Sequence, residues 1–249
     1  VYELNRNFRN EGISTQHNPE CTMLELYMAY ADYRTLIDLL ENLLRSLAIH
    51  VHGTTRVEYQ GRAFDLAEPF RQLSVEDAVH LHNLSLDRSR LREMGYLHGI
   101  CGTLGIPVKE SFGAGKLLIE IFEKTVEHQL LDPTFITGYP AEVSPLARRS
   151  DADPFLTDRF EFFINGRELA NGFSELNDPD EQRVRFEEQI ARGGREEDLM
   201  VLDEPFLRAL EHAMPPASGL GIGIDRLVMV LTGQEQIREV ILFPQMRPE

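Results

Sequence analysis

The sequence predicts an α+β fold in which an antiparallel sheet is flanked by helices and interrupted by a helical insertion over 74–131. Three observations carry this expectation. Residues 1–9 and 21–28 each alternate apolar and polar side chains with a period of two, as paired strands do. Asn165-Gly166 stands between two further β-prone runs and is the dipeptide that most strongly marks a two-residue hairpin. Stretches between these runs repeat leucine and other apolar residues at helical spacing.

In the first run Tyr2, Leu4 and Phe8 share one side, and Glu3, Asn5, Asn7 and Arg9 the other. Residues 10–19 are polar with Gly12 and Pro19, a loop. In the second run Thr22, Leu24, Leu26 and Met28 point one way, and Cys21, Met23, Glu25 and Tyr27 the other. Folded back, the hairpin presents Arg9, Glu11, Glu25 and Tyr27 on one surface. A row of charges there is either solvated or matched by a ligand. Asp32 can cap a helix running through Leu36, Leu40, Leu43, Leu44 and Leu47, expected to pack on the back of the hairpin. Residues 56–59 and 63–66 flank a short turn at Gln60-Gly61-Arg62. Ser74-Val75-Glu76-Asp77 resembles a capping box and opens the insertion, with further helices expected over 91–104 and 116–131.

Gly113-Ala114-Gly115-Lys116 lacks the glycine spacing and the Ser/Thr of a phosphate loop, so it reads as a helix entry. His80, His82 and His98 lack a third ligand at metal spacing. A short β-prone run at 134–137 precedes a proline-punctuated loop at 139–149. A turn at 165–166 pairs 164 with 167, which sets Glu161 opposite Ala170 and Phe163 opposite Glu168. The two carboxylates then lie on one face about 7–8 Å apart. So placed they can share a hard cation such as Mg²⁺, or stand as solvated surface groups. Asn171, Phe173 and Glu175 have the other parity, so a bulge is expected at 170–172 if all these groups serve one site. Helices are expected over 179–192 and 204–214. The run Gly219-Leu220-Gly221-Ile222-Gly223 lets a ligand or another backbone lie close on a strand. Arg226, at the head of the next helix, opposes the helix dipole and so is expected to face an anion.

The chain has 249 residues and a formal net charge of -16. That charge argues against a nucleic-acid grip by this chain alone, because phosphate contacts need a basic surface. Two cysteines make neither a disulfide framework nor a zinc site. With neither an apolar run of membrane length nor a secretory signal, the expected location is cytoplasmic. Val1 stands inside a strand without a preceding Met, which suggests a fragment.

Phe8-Arg9-Asn10-Glu11 with His17-Asn18-Pro19-Glu20, and Gly221-Ile222-Gly223-Ile224-Asp225-Arg226, resemble motifs 2 and 3 of the class II aminoacyl-tRNA synthetases. Residues 22–32, 139–149 and 171–178 narrow the resemblance to the bacterial-type lysyl branch, and 237–244 resembles that branch's C-terminal end. The resemblance covers essentially the whole chain and implies the C-terminal part of a catalytic domain. It implies ATP-dependent activation of lysine to lysyl-adenylate and transfer to tRNA(Lys), with Mg²⁺ as cofactor and a homodimer in the intact protein. By the same resemblance Arg9 and Arg226 are catalytic and bind ATP with Glu11, His17, Cys21, Glu161 and Glu168. Glu161 and Glu168 hold the metal, and Glu25, Tyr27, Asn171, Phe173 and Glu175 hold lysine. Cys21 stands where the family usually has an aromatic that stacks on adenine, so weaker ATP binding is expected. The family's N-terminal anticodon-binding barrel and motif 1 have no counterpart in these residues. Two other readings are a ligase that attaches lysine to elongation factor P and a fragment that binds lysine or a partner without turnover.

Overall fold

The computed structural model describes residues 1–10, 12–192 and 202–246. Strands β1 (Tyr2–Phe8) and β2 (Glu20–Ala29) form the expected hairpin, with Glu3 opposite Glu25 and Asn5 opposite Met23. Helix α1 (Tyr33–His52) begins where Asp32 accepts a hydrogen bond from the Thr35 amide at 3.0 Å and stops at Gly53, whose φ of 71° continues no helix. Strands β3 (Arg56–Tyr59) and β4 (Arg62–Asp65) make a separate two-stranded ribbon. Then follow β5 (Arg71–Ser74), α2 (Val75–His82), α3 (Met94–Leu104), α4 (Ala114–Thr125) and β6 (Thr134–Thr137). The chain continues with β7 (Arg159–Ile164), β8 (Arg167–Ser174), α5 (Pro179–Arg192), α6 (Glu204–Leu210), β9 (Ala217–Gly223) and α7 (Ile224–Thr232).

The main sheet has the order β1-β2-β9-β8-β7-β6-β5. All its pairs are antiparallel except β5 with β6. A parallel pair needs a long crossover, and α2, α3 and α4 supply it. This places the helical stretch between two neighbouring strands. One face of the sheet, through Phe160, Phe162, Ile164, Leu220 and Ile222, joins Leu36, Ile37, Leu40 and Leu44 of α1 in the larger core. A second core joins α2, α3 and α4 to Ile136, Phe163 and Tyr139 on the opposite face. The helices therefore cover the β6–β7 half of that face, and the β2–β9–β8 half remains for a cleft.

Several expectations are corrected. α1 packs mainly on β7, β8 and β9 rather than behind the hairpin, and α7 is the helix beside β2. The apolar side of β1 is consequently uncovered among the described residues: Tyr2, Leu4 and Phe8 are exposed. Ser74 caps α2 by accepting from the Asp77 amide at 3.0 Å. The Asp77 carboxylate takes the Ser74 hydroxyl instead of its backbone N–H, so the box is only half formed. α4 ends at Thr125, and α6 at Leu210. The glycines before Lys116 stand at a helix entry, as expected, and their amides form an anion cradle that the chain fills itself. The Glu142 carboxylate accepts from the amides of Gly113 at 2.6 Å, Gly115 at 2.9 Å and Lys116 at 3.2 Å.

The β7–β8 hairpin turns at Asn165 and Gly166, with φ of 51° and 68° as a mirror-image turn requires. Its register then departs from the simple count. Phe163 faces Glu168 as expected, but Phe162 faces Ala170 and Glu161 faces Asn171. Leu169 is the extra residue of a bulge, one position before the expected stretch, and its side chain enters the core. The bulge lets Glu168 and Asn171, three apart, face the same side.

Candidate active site

β9 explains why there is a cleft at all. Gly219, Gly221 and Gly223 face Tyr27, Glu25 and Met23 of β2 on one flank. Gly219 and Gly221 face Phe173 and Asn171 of β8 on the other. Without side chains on this face of β9, the flanking strands become the walls of a trough. A Cβ at Gly219 would overlap the Glu175 carboxylate and come within 2.9 Å of the Tyr27 ring. The cleft measures about 480 Å³. Ten expected site residues line it: Arg9, His17, Cys21, Glu25, Tyr27, Glu168, Asn171, Phe173, Glu175 and Arg226. Glu161 does not line it but faces Asn171 across β7–β8. Glu11 lies outside the described residues.

One end of the trough is cationic. Arg226, the third residue of α7, donates through Nη1 to the Glu168 carbonyl at 2.6 Å and lies 3.8 Å from its carboxylate. Its Nη2 is 3.0 Å from His17 Nε2. A guanidinium can only donate, so His17 Nε2 accepts and the ring proton sits on Nδ1, 3.0 Å from Ser14 Oγ. Asp225 ties the start of α7 to β2 by accepting from the Thr22 amide at 2.7 Å. The loop carrying His17 is held by the Ile237 amide, which donates to the Thr15 carbonyl at 2.9 Å. Arg9 follows β1 and is exposed, with its amide donating to the Pro19 carbonyl.

The other end is anionic. Burial pushes the Glu175 carboxyl up to about 7. Among the described residues no cation pairs with it, so nothing offsets the cost of burying its charge. Tyr27 stands beside it, 52% exposed. Its hydroxyl is raised by burial first, then by Glu175 and Glu25, and so remains a donor. Glu25 accepts from Asn5 Nδ2 at 3.4 Å.

Beyond Asn171 lies a polar network. Glu161 Oε1 accepts from Arg159 Nη2 at 2.5 Å, and Oε2 accepts from the Tyr139 hydroxyl at 2.8 Å. Burial and the Glu161 charge raise the Tyr139 hydroxyl well above its ordinary value, which keeps it a donor. The Glu168 carboxyl is pushed up, by burial first and by Glu161 second. The side chain is surrounded by protein yet opens on the cleft, so a solvated cation can reach it. Glu127, at the end of the insertion, is also pushed up to about 7, by burial and then by Glu123, Glu161 and Glu168.

Glu161 and Glu168 are the carboxylates that a Mg²⁺ ion would meet here. Among the described residues no three His, Cys, Asp or Glu side chains form a metal-binding group. Two carboxylates nevertheless suit Mg²⁺, which draws its remaining ligands from water and substrate phosphates. The mutual repulsion of Glu161 and Glu168 is what a divalent cation relieves, so the residues fit.

Arg159, Asp225 and the Gly219 contact carry no separate signal in the sequence. Arg159 and Asp225 sit inside runs dominated by stronger strand and motif signals, and only the folded register shows what they touch.

The cleft and the sheet around it define a class. Residues 1–247 match the family model of class II tRNA synthetases (D, K and N), and the chain belongs to that family. Among curated proteins it is 57% identical to the lysine–tRNA ligase of Thioalkalivibrio sulfidiphilus and 58% identical to that of Xanthomonas oryzae pv. oryzae. In both cases the match takes in all of this chain and 50% of the relative. The lysine–tRNA ligase of Cronobacter sakazakii is 54% identical over all of this chain and 49% of its own length. The chain thus spans about half the length of these relatives. Those shares give the length matched and do not place the chain at the C-terminal end of the relatives. Among the described residues no helix is long and apolar enough to cross a membrane.

Proposed function

We propose that this chain carries the ATP- and lysine-binding half of a lysine–tRNA ligase, whose whole protein forms lysyl-adenylate and passes the lysyl group to tRNA(Lys). The observation that carries the reading is Glu175. It is a half-buried carboxylate raised to about 7, at the end of a glycine-floored trough, beside a tyrosine hydroxyl and with no cation of its own among the described residues. An ammonium on an apolar stem is the ligand that such a site wants. The names of the relatives favour transfer to tRNA over modification of elongation factor P or binding without turnover.

The dimensions agree. Gly219 and Gly221 are two residues apart on β9, about 6.6 Å. The four-carbon stem of lysine bridges that step. The ε-ammonium lies between Glu175 and the Tyr27 hydroxyl, and the stem lies over Gly219 and against Phe173. The α-carboxylate reaches Asn171, and the α-ammonium reaches Glu25. The carboxylate then points toward Arg9 and Arg226.

In the first step a lysine carboxylate oxygen attacks the α-phosphorus of ATP. A P–O bond forms in line as the bond to the bridging oxygen of pyrophosphate breaks. Arg9 places a planar donor fork on the α-phosphate, where charge accumulates. Arg226, fixed by the Glu168 carbonyl and by His17, meets the terminal phosphate. His17 and Glu11 take part in nucleotide contacts from the 10–19 loop, and Cys21 lies where the adenine is received. Glu161 and Glu168 would hold Mg²⁺, which would supply neutralisation of phosphate charge and of the leaving group. In the second step the 3′-terminal hydroxyl of the tRNA attacks the anhydride carbonyl, the ester bond forms as the acyl–phosphate C–O bond breaks, and AMP leaves with the hydroxyl proton passing to its phosphate. Catalysis is positioning and electrostatics, without a covalent enzyme intermediate. The acidic chain leaves most of the tRNA grip to the rest of the protein, and the proposed working form is a cytoplasmic homodimer. Lysine-dependent exchange of pyrophosphate into ATP by the whole protein tests the reading. Exchange with lysine and not with asparagine or aspartate is expected, and exchange with either of those instead contradicts it.

A further inference from the structure

Arg159 contacts both halves of the site without lining the cleft. Its Nε donates to Asn171 Oδ1 at 3.2 Å, and its Nη2 donates to Glu161 Oε1 at 2.5 Å. Its Nη1 donates to Ser144 Oγ at 2.9 Å and to the Val143 carbonyl at 3.1 Å. The guanidinium lies 4.6 Å from the centre of the Tyr139 ring, whose hydroxyl holds the other oxygen of Glu161. The loop that receives Nη1 is itself anchored. The buried Arg185 on α5 donates to the Ser144 carbonyl at 3.2 Å and to the Ala141 carbonyl at 3.4 Å. The Arg159 side chain is only 15% exposed.

Donor chemistry gives this arrangement a direction. Arginine cannot accept a hydrogen bond, so the group that Asn171 turns toward it must be the carbonyl oxygen. The amide nitrogen is then the atom left for the cleft that Asn171 lines. A carboxylate ligand needs a donor there, and the opposite amide orientation would present it with an acceptor. The same planar group also fixes one oxygen of Glu161, leaving that carboxylate a defined orientation beside Glu168.

We propose that Arg159 is a positioning residue that sets the amino-acid subsite and the cation subsite together. It locks the Asn171 amide with its nitrogen toward the substrate carboxylate and holds the Glu161 carboxylate in the orientation that receives a divalent cation. A flexible ammonium cannot reproduce three divergent bonds from one plane, so Arg159→Lys fails nearly as far as Arg159→Gln. The proposal rests on the reading of the cleft as a lysine-activating site.

The test uses the whole protein and the variants Arg159→Lys, Arg159→Gln, Asn171→Ala and the double variant Arg159→Gln/Asn171→Ala. In lysine-dependent pyrophosphate exchange, Arg159→Gln is expected to raise the KM for lysine about tenfold. It should also raise the Mg²⁺ concentration for half-maximal rate severalfold. Asn171→Ala should raise the lysine KM alone. Adding Arg159→Gln to Asn171→Ala should move the lysine KM less than twofold further while still shifting the Mg²⁺ requirement. A tenfold rise in both backgrounds, or a lower kcat with both constants unchanged, overturns the proposal. A second readout needs no turnover. With ¹⁵N-asparagine labelling and no ligand, the side-chain amide resonances of Asn171 are expected to move to the position of a solvent-exposed asparagine in Arg159→Gln. Unmoved resonances overturn the proposal. Wild-type protein without lysine-dependent exchange contradicts the functional reading alone, and the amide resonances then decide the role of Arg159.

Discussion

Glu175→Gln removes the charge that the proposed ammonium subsite offers while keeping the shape of the side chain. An ammonium about 4 Å from a carboxylate gains about 4 kcal/mol at an effective dielectric constant of about 20. The carboxyl is raised to about 7 by burial, so at pH 7 it must first lose its proton in about half of the molecules, a cost of about 0.4 kcal/mol. Glutamine still offers a carbonyl oxygen to the ammonium, which returns roughly a neutral hydrogen bond of about 1 kcal/mol. The net loss is about 2–3 kcal/mol, a fall of roughly 30- to 150-fold in kcat/KM for lysine. The assay is lysine-dependent pyrophosphate exchange, with the KM for ATP followed in parallel. That constant should stay within about twofold, because Glu175 stands at the end of the trough away from Arg226. The sign of the pH dependence follows from the ionised form binding the ammonium. kcat/KM for lysine should rise with pH up to about 7, and Glu175→Gln should remove that contribution, leaving the one from Glu168. A change below about threefold in the lysine term, or an equal loss for ATP, refutes the assignment.

Other consequences can be measured independently. Gly219→Ala pushes a methyl group into the Glu175 carboxylate and the Tyr27 ring; it should raise the lysine KM about tenfold or more while the circular dichroism spectrum is unchanged. Cys21→Phe, which offers an aromatic face at the adenine position, should lower the KM for ATP severalfold, and an unchanged constant would mean adenine is held elsewhere. Arg226→Gln removes the cation held by His17 and the Glu168 carbonyl; it should cost about 2–4 kcal/mol in kcat/KM for ATP, read by exchange kinetics. Glu127 and Glu175 have folded-state carboxyls near 7, and Glu168 is raised as well, above the unfolded value of 4.5. Their ionisation therefore opposes folding, and the ligand-free protein should lose thermal stability as pH rises from about 4.5 through 7. Lysine with Mg²⁺ and ATP should restore it, as a midpoint that climbs with ligand concentration.

Much of the fold was legible because its signals are local. Strand parity separated Cys21, Met23, Glu25 and Tyr27 from the core side of β2, and Asn165-Gly166 marked the hairpin that carries Glu161 and Glu168. Even the bulge was legible as a conflict of parity between Glu168 and Asn171. What parity could not supply was which residue would be extruded. Leu169 is the apolar one, and entering the core decided it. β5 was not anticipated, because Arg71-Gln72-Leu73-Ser74 is short and polar and becomes a strand only through its parallel partner β6. The placement of α1 was misjudged for a related reason. Its apolar stripe requires a cover, but the sheet order that brings β7, β8 and β9 over it is non-local. In the site, the resemblance supplied a residue set of which ten line the cleft, while Glu161 stands behind Asn171. Arg159 was not legible because its importance lies in four bonds, to residues 12, 16, 15 and 2 positions away. Glu142 shows the converse: the glycine cluster before Lys116 reads from sequence as a plain helix entry, and only the fold shows that its amides hold the protein's own carboxylate.

The central claim is that the anionic end of the glycine-floored trough reads the side-chain ammonium of lysine. Pyrophosphate exchange by the whole protein with lysine, compared with norleucine, which has the same carbon stem without the ammonium, tests it most directly. Exchange with lysine that exceeds norleucine by at least a hundredfold in kcat/KM, and that loses most of this preference in Glu175→Gln, is the predicted result. Equal rates for the two amino acids, or a preference untouched by Glu175→Gln, would contradict it.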